Sequence, residues 1–414
     1  MSRIDGFALD LADRTGYVRG LAQELGFDFC RFVPIGDAPH SSFFSAWLAR
    51  GGGADMAYLG RHVDKRGSPG LLARGGQQFR SMIVVGVDYG GVLADPRALA
   101  DPSRGLIARY AWSPDYHEVM RPALYALDGE IRRLGGRSRV GKALVDTGPV
   151  LERDWAMLSG LGFTGKNCCT IHPERGSFLL LGTLCVPEVF EYDVGWHGRD
   201  LVDELQVLDG LAPGTRVGRW EIRLEDVRRV GTCGGCVRCL SACPTDAFVG
   251  PLHLDARRCI SYWTIESRGV IPLSLRSAFG NRIFGCDICQ DVCPWNRRLA
   301  VSGSGVVRAS ALLDRVAPPL IEGFRESSPY WLADEAFSVR FQRTPVLRPG
   351  RAGMLRNVCV ALGNWADAAA LPCLLAAVQD RDPVPRAHAA WALGRLARAG
   401  VVPVGGCTLG CVGC

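Results

Sequence analysis

Cys233-Gly-Gly-Cys236-Val-Arg-Cys239-Leu-Ser-Ala-Cys243-Pro244 spaces four thiols as C-x2-C-x2-C-x3-C-P. This is the bacterial ferredoxin run for a [4Fe–4S] cluster, in which the fourth cysteine ligates the other of two clusters. A second group follows in Cys286-Asp-Ile-Cys289-Gln-Asp-Val-Cys293-Pro294, with Cys259 alone between the two groups. Eight thiolates are what two four-iron cubanes need. Ferredoxin-like crossing assigns Cys233, Cys236, Cys239 and Cys293 to one cluster, and Cys243, Cys259, Cys286 and Cys289 to the other. Zinc also takes C-x2-C pairs, but a three-cysteine run continued by Cys-Pro argues against it. Paired cubanes carry single electrons and leave bond chemistry to another group. The chain is read as one that delivers electrons.

Outward from that core, the 414 residues allow two or three domains. Hydrophobic residues make up 48% and charged ones 22%, a globular balance that excludes wholesale disorder. The densest apolar stretch, Phe178 to Val186, is far shorter than the ~20 residues a membrane helix needs. Met1-Ser-Arg-Ile-Asp, followed by Asp10 and Asp13, is neither a secretory h-region nor a twin-arginine signal. We therefore expect a cytoplasmic monomer with no membrane partner. Seventeen cysteines in a reducing compartment point to metal or clusters rather than disulfides.

Charge is distributed unevenly. Residues 340–398 hold nine arginines against Asp367, Asp380 and Asp382, which equals the whole chain's net +6. A localised basic segment suits a polyanion, although a solvated helix face gives the same pattern. Lys65, Lys142 and Lys166 are the only lysines, so arginine abundance reflects composition and is weak evidence for phosphate binding. Of the nine cysteines outside the two groups, Cys30, Cys168, Cys169, Cys185, Cys359 and Cys373 read mostly as buried small hydrophobes. Cys407, Cys411 and Cys414 form C-x3-C-x2-C, read as a flexible tail because no barrel can follow.

Residues 1–190 alternate helical and strand patterns, giving an α/β or α+β domain. Leu9 to Leu25 predicts an amphipathic helix, Ser81-Met-Ile-Val-Val-Gly-Val-Asp88 a buried strand, and Pro122 to Leu134 a helix. Ala143-Leu-Val145 is a short strand ending in the turn Asp146-Thr-Gly-Pro, and Val150 to Ser159 is helical. Phe178 to Val186 is a further strand. Residues 191–232 form a linker or insertion, 233–300 the two-cluster domain, 301–400 a helical region and 401–414 the cysteine-bearing tail. Within the helical region, Leu355 to Trp365, Leu371 to Val378 and Arg386 to Ala399 are the expected helices. Val360-Ala-Leu-Gly-Asn echoes Trp391-Ala-Leu-Gly-Arg at a spacing of 31 residues, resembling a HEAT-like repeat or an ordinary helical hairpin.

Six further segments carry a resemblance to a known family. They are Arg109-Tyr-Ala-Trp-Ser-Pro-Asp-Tyr-His117, Val145-Asp-Thr-Gly-Pro-Val-Leu-Glu-Arg153, Gly162-Phe-Thr-Gly-Lys-Asn167, Glu174-Arg-Gly-Ser177, Asp255-Ala-Arg-Arg-Cys-Ile-Ser-Tyr262 and Gly280-Asn-Arg-Ile-Phe-Gly-Cys-Asp287. Read with the cluster motifs, they resemble the epoxyqueuosine reductases, cobalamin-dependent enzymes that complete queuosine synthesis in tRNA. The likeness covers most of the chain in the right order. The 187–232 segment is longer than usual in that family, and the cysteine tail lies outside its pattern. The resemblance implies a ferredoxin-like two-cluster domain beside an N-terminal cobalamin-binding catalytic domain. It implies a base-off cobalamin, tRNA carrying epoxyqueuosine as substrate, and an external electron donor. It places the proton donor at Asp146 and cobalamin contacts at Arg66, Ala108, Asp146, Lys166, Asn167, Ser177, Ser261 and Asp287. The D-x-H-x-x-G cobalt-ligating signature is absent, since Met120 stands where Asp115-Tyr-His117 would need glycine.

Read bottom-up, Asp146 sits where a strand gives way to a turn, and a buried carboxyl with raised pKa there could supply a proton. A plain turn residue is the bland alternative. His117 is read either as a structural histidine or as part of the site. Arg351, Arg356 and Arg386 are the phosphate-contact candidates. Two other readings compete: a reductive dehalogenase-like corrinoid reductase of small molecules, and a non-enzymatic iron–sulfur electron carrier.

Overall fold

The computed structural model describes residues 9–91, 96–193, 216–217, 220–221, 233–298 and 316–401. Most of the 191–232 insertion and nearly all of the tail, Cys407, Cys411 and Cys414 included, lie outside the described residues. The chain forms two compact units, neither continuous in sequence. One comprises Met1–Val92, Ser113–Arg257 and Asp287–Ala309; the other comprises Leu93–Trp112, Arg258–Cys286 and Ser310–Cys414.

The first unit is built on a four-stranded sheet in the order Phe29–Pro34, Ser81–Asp88, Leu179–Val186, Lys142–Leu144. Every pairing is antiparallel, so the α+β alternative holds for this sheet. Ser81–Asp88 is buried along its whole length, as its near-continuous apolar run requires. Pairing of Val84 with Arg31 on one side and Thr183 on the other places it centrally. Helix Leu11–Glu24 begins at Asp10, whose carboxylate accepts the Asp13 N–H.

Helix Tyr116–Gly135 starts well before the expected Pro122. Asp115 is its cap, accepting the His117 N–H, and Pro122 is carried inside the helix. The apolar spacing explains why the proline is tolerated: Met120, Leu124, Leu127 and Ile131 are all fully buried and form one stripe. Helix Glu152–Leu158 places Trp155 and Ala156 in a core with Met82, Val84, Leu144, Val150, Leu161 and Cys185. Cys185, its thiol pushed up to about 12 by burial, behaves as the small hydrophobe expected.

The second unit pairs Leu106–Ile107 with Arg282–Phe284 and adds helices Gly350–Trp365, Leu371–Ala377 and Pro383–Arg398. The sequence echo marks where two of these helices meet. A Cβ on Gly363 would lie 2.7 Å from the Trp391 ring and 2.8 Å from the Ala392 Cβ, so glycine is required for the approach. No helix among the described residues is long and apolar enough to cross a membrane.

Candidate functional site

Cys233, Cys236, Cys239 and Cys293 line one cavity of about 270 Å³ with Asn167, Ile171, Pro294 and Trp295. The fold thus brings Cys293 to three cysteines far from it in sequence, as the crossed ligand assignment requires. Burial, followed by the charges of its three neighbours, pushes the Cys239 thiol up to about 12, and burial raises Cys233 and Cys293 as well. Thiols raised in this way ionise readily only beside compensating positive charge, which cluster iron would supply. Cys243 and Cys289 pack against a small core of Leu240, Phe248 and the cavity-lining Cys239 in the same unit. Cys259 and Cys286 belong to the second unit.

Lys166 and Asn167 are tied to the cluster loops. The Lys166 ammonium donates to the carbonyls of Gly234 (2.7 Å) and Cys236 (3.2 Å), and its backbone N–H lies 3.5 Å from the Cys233 sulfur. Burial pulls the Lys166 pKa down. Asn167 donates to the Cys289 carbonyl at 3.3 Å. Ser177 also serves a cluster segment: its hydroxyl donates to Gln290 at 2.9 Å, and its N–H donates to Asn296 at 2.6 Å. In the second unit, the Ala108 N–H donates to the Phe284 carbonyl at 2.7 Å. The Ser261 carbonyl there accepts from the Thr264 hydroxyl at 3.4 Å. The Asp287 carbonyl, in the first unit, accepts the N–H groups of Gln290 and Asp291.

Asp146 takes a left-handed φ of 53°, and the Thr147 N–H reaches back to the Val145 carbonyl at 2.6 Å. The strand therefore turns sharply at Asp146. Gly148 completes the turn, because a Cβ there would meet the Leu144 side chain at 2.2 Å. The Tyr116 hydroxyl donates to Asp146 Oδ2 at 2.8 Å, and His117 Nε2 stands 3.8 Å from the same oxygen. His117 Nδ1 bonds the Asp115 carboxylate at 2.8 Å, and its ring stacks on Tyr116. The pair lowers the Asp115 pKa.

The expectation of a buried carboxyl at Asp146 is corrected. Its side chain is 67% exposed, because the sharp turn projects it outward. The acid held protonated is half-buried Glu152, whose Oε1 is enclosed and which is pushed up to about 8 first by desolvation and then by the Asp146 charge. Arg66 is buried nearby, donating to the Gly148 carbonyl at 3.2 Å. Sequence reasoning missed Tyr116 and Glu152 as neighbours of Asp146; both lie inside the quoted motifs, and only their spatial role was hidden.

Two of the three phosphate candidates are corrected as well. Arg351 is buried, bidentate to Asp380 at 2.7 and 3.1 Å, with Asp334 at 3.0 Å. Arg356 is fully buried and donates to the carbonyls of Ser267, Gly269 and Trp263. Both guanidinium groups are consumed within the second unit. Arg386 is exposed and donates to the carbonyls of Asp380 and Arg381.

Comparison with known proteins bears on this arrangement directly. Residues 232–296 match the 4Fe-4S double cluster binding domain, and residues 72–147, which end just beyond Asp146, match Epoxyqueuosine reductase QueG, DUF1730. The epoxyqueuosine reductase of Pseudomonas aeruginosa is 35% identical over 91% of this chain and 93% of its own length. A crystal structure of epoxyqueuosine reductase with an epoxyqueuosine-modified tRNA-Tyr stem loop superposes with a TM-score of 0.74 at 27% identity, covering 94% of this chain and 91% of that one. The Bacillus subtilis enzyme, solved with its catalytic aspartate loop swung out of the active site, gives 0.72 at 26% identity, covering 94% and 91%. Likeness from end to end displaces both the small-molecule reductase and the electron-carrier readings. With four cluster cysteines around one cavity and an aspartate presented on a strained turn, the chain belongs to the epoxyqueuosine reductase family.

Proposed function

We propose that this oxidoreductase, an epoxyqueuosine reductase acting on tRNA with [4Fe–4S] clusters, converts epoxyqueuosine to queuosine at the wobble position with the help of a base-off cobalamin and with Asp146 as proton donor. Cobalamin, when bound, would supply low-valent cobalt chemistry for the reduction. The residues fit such a group: buried Arg66 keeps Nε without a hydrogen-bond partner among the described residues, suited to a corrin amide. Arg66, Ala108, Lys166, Asn167, Ser177, Ser261 and Asp287 would hold it, the Lys166 ammonium with the one N–H its two carbonyls do not use.

Overall, the epoxide takes up two electrons and two protons, leaving a cyclopentene and water. An external donor would supply the electrons, and the two clusters would carry them. Asp146 gives a proton to the departing oxygen; Tyr116 orients the carboxyl, and its hydrogen bond keeps one oxygen fixed. A turn held by one left-handed residue and Gly148 is suited to moving the acid, which agrees with the swung-out aspartate loop of the Bacillus subtilis relative. We read the paired helices 350–398 as HEAT-like, contributing to docking of a tRNA stem loop, with Arg386 as the remaining phosphate candidate.

The observation that carries the catalytic assignment is Asp146 exposed at the end of its strand with Tyr116 and His117 on one carboxylate oxygen. Replacing Asp146 with Asn should keep cluster and cobalamin absorption and cost ~10²–10⁴-fold in single-turnover epoxide reduction, the usual loss for a general acid. Near-normal turnover in that variant would refute the role.

A further inference from the structure

A wobble nucleotide can meet Asp146 only if the RNA strand beside it lies against the surface around the Asp146 turn. One side of that surface, within the first unit, is a basic stretch. Residues 50–74 hold Arg50, Arg61, Lys65, Arg66 and Arg74 against Asp55 and Asp64 alone, a net +3 in 25 residues. Buried Arg66 pins the stretch to the catalytic turn: its guanidinium donates to the Gly148 carbonyl at 3.2 Å and to the Tyr58 carbonyl at 3.5 Å. Its neighbours in sequence face outward. Tyr58 is 39% exposed, Arg61 is exposed and Lys65 half-exposed. A Cβ on Gly60 would meet nothing within 4 Å, and His62, at a left-handed φ of 55°, turns the chain from Arg61 into helix Val63–Gly67. Among the described residues the Arg61 and Lys65 side chains make no hydrogen bond or ion pair, whereas Arg351 and Arg356 spend their charge internally.

We propose that Tyr58–Lys65 is the landing surface for the single-stranded anticodon loop, with Arg61 and Lys65 on its phosphates and the Tyr58 ring against an unstacked base. Single-stranded RNA is held in this manner, by cations that track the backbone and aromatic rings that accept the face of any base. An inorganic anion would use the two cations and leave the ring idle; an RNA loop uses both. Lys65 lies one Cα step, ~3.8 Å, from the residue anchored to the turn, so a strand held there passes close to the aspartate.

The inference rests on reaction with tRNA at Asp146, and the test separates the two claims. Binding of an epoxyqueuosine-bearing anticodon stem loop to the full-length, iron-loaded chain would be followed by fluorescence anisotropy over a salt series. The double variant Arg61→Gln, Lys65→Gln should bind ~10-fold more weakly at ~0.15 M salt, with a log–log slope flatter by ~1.4, from two single-strand contacts at ~0.7 each. Tyr58→Ala should also lose ~10-fold in affinity but keep the parent's slope, and Tyr58→Phe should bind as the parent does. Arg121 reaches the Thr147 hydroxyl at 3.1 Å, and exposed Arg133 lies ~18 Å further along the same helix. That exceeds the ~8 Å screening length, so Arg133→Gln should leave affinity and slope unchanged. Parental affinity and slope in the double variant would overturn the phosphate contacts. A flatter slope there with parental binding by Tyr58→Ala would overturn the RNA-loop assignment in favour of general anion attraction. Weaker binding matched by a lower Tm would overturn the surface role in favour of a structural one. A parent chain that binds the stem loop through these residues yet reduces no epoxyqueuosine would refute the proposed function and leave the landing surface standing.

Discussion

Glu152 and Asp146 form a carboxylate pair in unlike settings, one half-buried and protonated, the other exposed on a turn. Burial holds Glu152 neutral up to about pH 8, so the folded chain binds a proton that the unfolded chain releases near pH 4.5. The sign follows by linkage: this group's contribution to stability is fully present below about pH 4.5 and is lost as pH rises through 8. A Glu152→Gln chain mimics the neutral form. Its Tm should match the parent's near pH 4.5 and exceed it increasingly toward pH 8; parallel Tm curves across that window would contradict the assignment. The residue scale also shows what was legible. The cluster cysteines declared themselves because their spacing is local and chemically specific. Tyr116 and Glu152 did not, because their roles depend on a helix cap and a burial pattern that bring residues 30 and 6 positions away to Asp146.

At the scale of elements, the helical region was legible where apolar periodicity was strong, and less so where polar side chains join elements. Helices Gly350–Trp365 and Pro383–Arg398 start five and three residues before the expected Leu355 and Arg386, and their echo proved to be the close contact at Gly363. What the pattern could not reveal is that Arg356 and Asn357 face inward, donating to the backbone carbonyls of Ser267, Thr264 and Ile283. Charge counting treats such arginines as surface. His388 belongs to the same class. Its Nε2 accepts the Ile271 N–H at 3.1 Å, its Nδ1 donates to the Val384 carbonyl at 2.7 Å, and burial pushes its pKa down to about 3. The unfolded chain takes up a proton near pH 6.5 that the folded chain refuses, so stability present above that pH is lost as pH falls toward 3. In urea melts from neutral to mildly acidic pH, His388→Gln should be less stable at neutrality yet show a shallower decline on acidification. A slope equal to the parent's would place the acid sensitivity elsewhere.

Over the whole molecule, the sequential division into domains gives way to two units that trade segments. Residues 93–112 and 258–286 join the C-terminal helices, while 287–309 returns to the first unit. Cys259 and Cys286 accordingly fall in the second unit while the other six motif cysteines fall in the first, a division that spacing alone could not reveal. The basic character of residues 340–398 is also reduced once Arg351 and Arg356 are spent internally. Phosphate contact should then fall on exposed side chains such as Arg386. Replacing Arg386 with Gln should weaken tRNA binding and flatten its salt dependence by ~0.7–0.9 in log–log slope for the contact removed. Arg351→Gln should instead lower thermal stability, because Asp380 loses its partner in a buried pair. Equal affinity and equal slope in the Arg386 variant would leave the helices as scaffold.

The central claim is that electrons from two cubanes and a proton from Asp146 serve cobalamin-dependent removal of one oxygen from epoxyqueuosine in tRNA. Single-turnover reduction tests it most directly. The anaerobically reconstituted, fully iron-loaded chain would be mixed with an epoxyqueuosine-bearing anticodon stem loop, with and without cobalamin, and the excised nucleoside weighed by mass spectrometry. The account predicts queuosine, lighter by one oxygen, only when cobalamin is present. Equal conversion without cobalamin, or none with it at full cluster loading, would contradict the account.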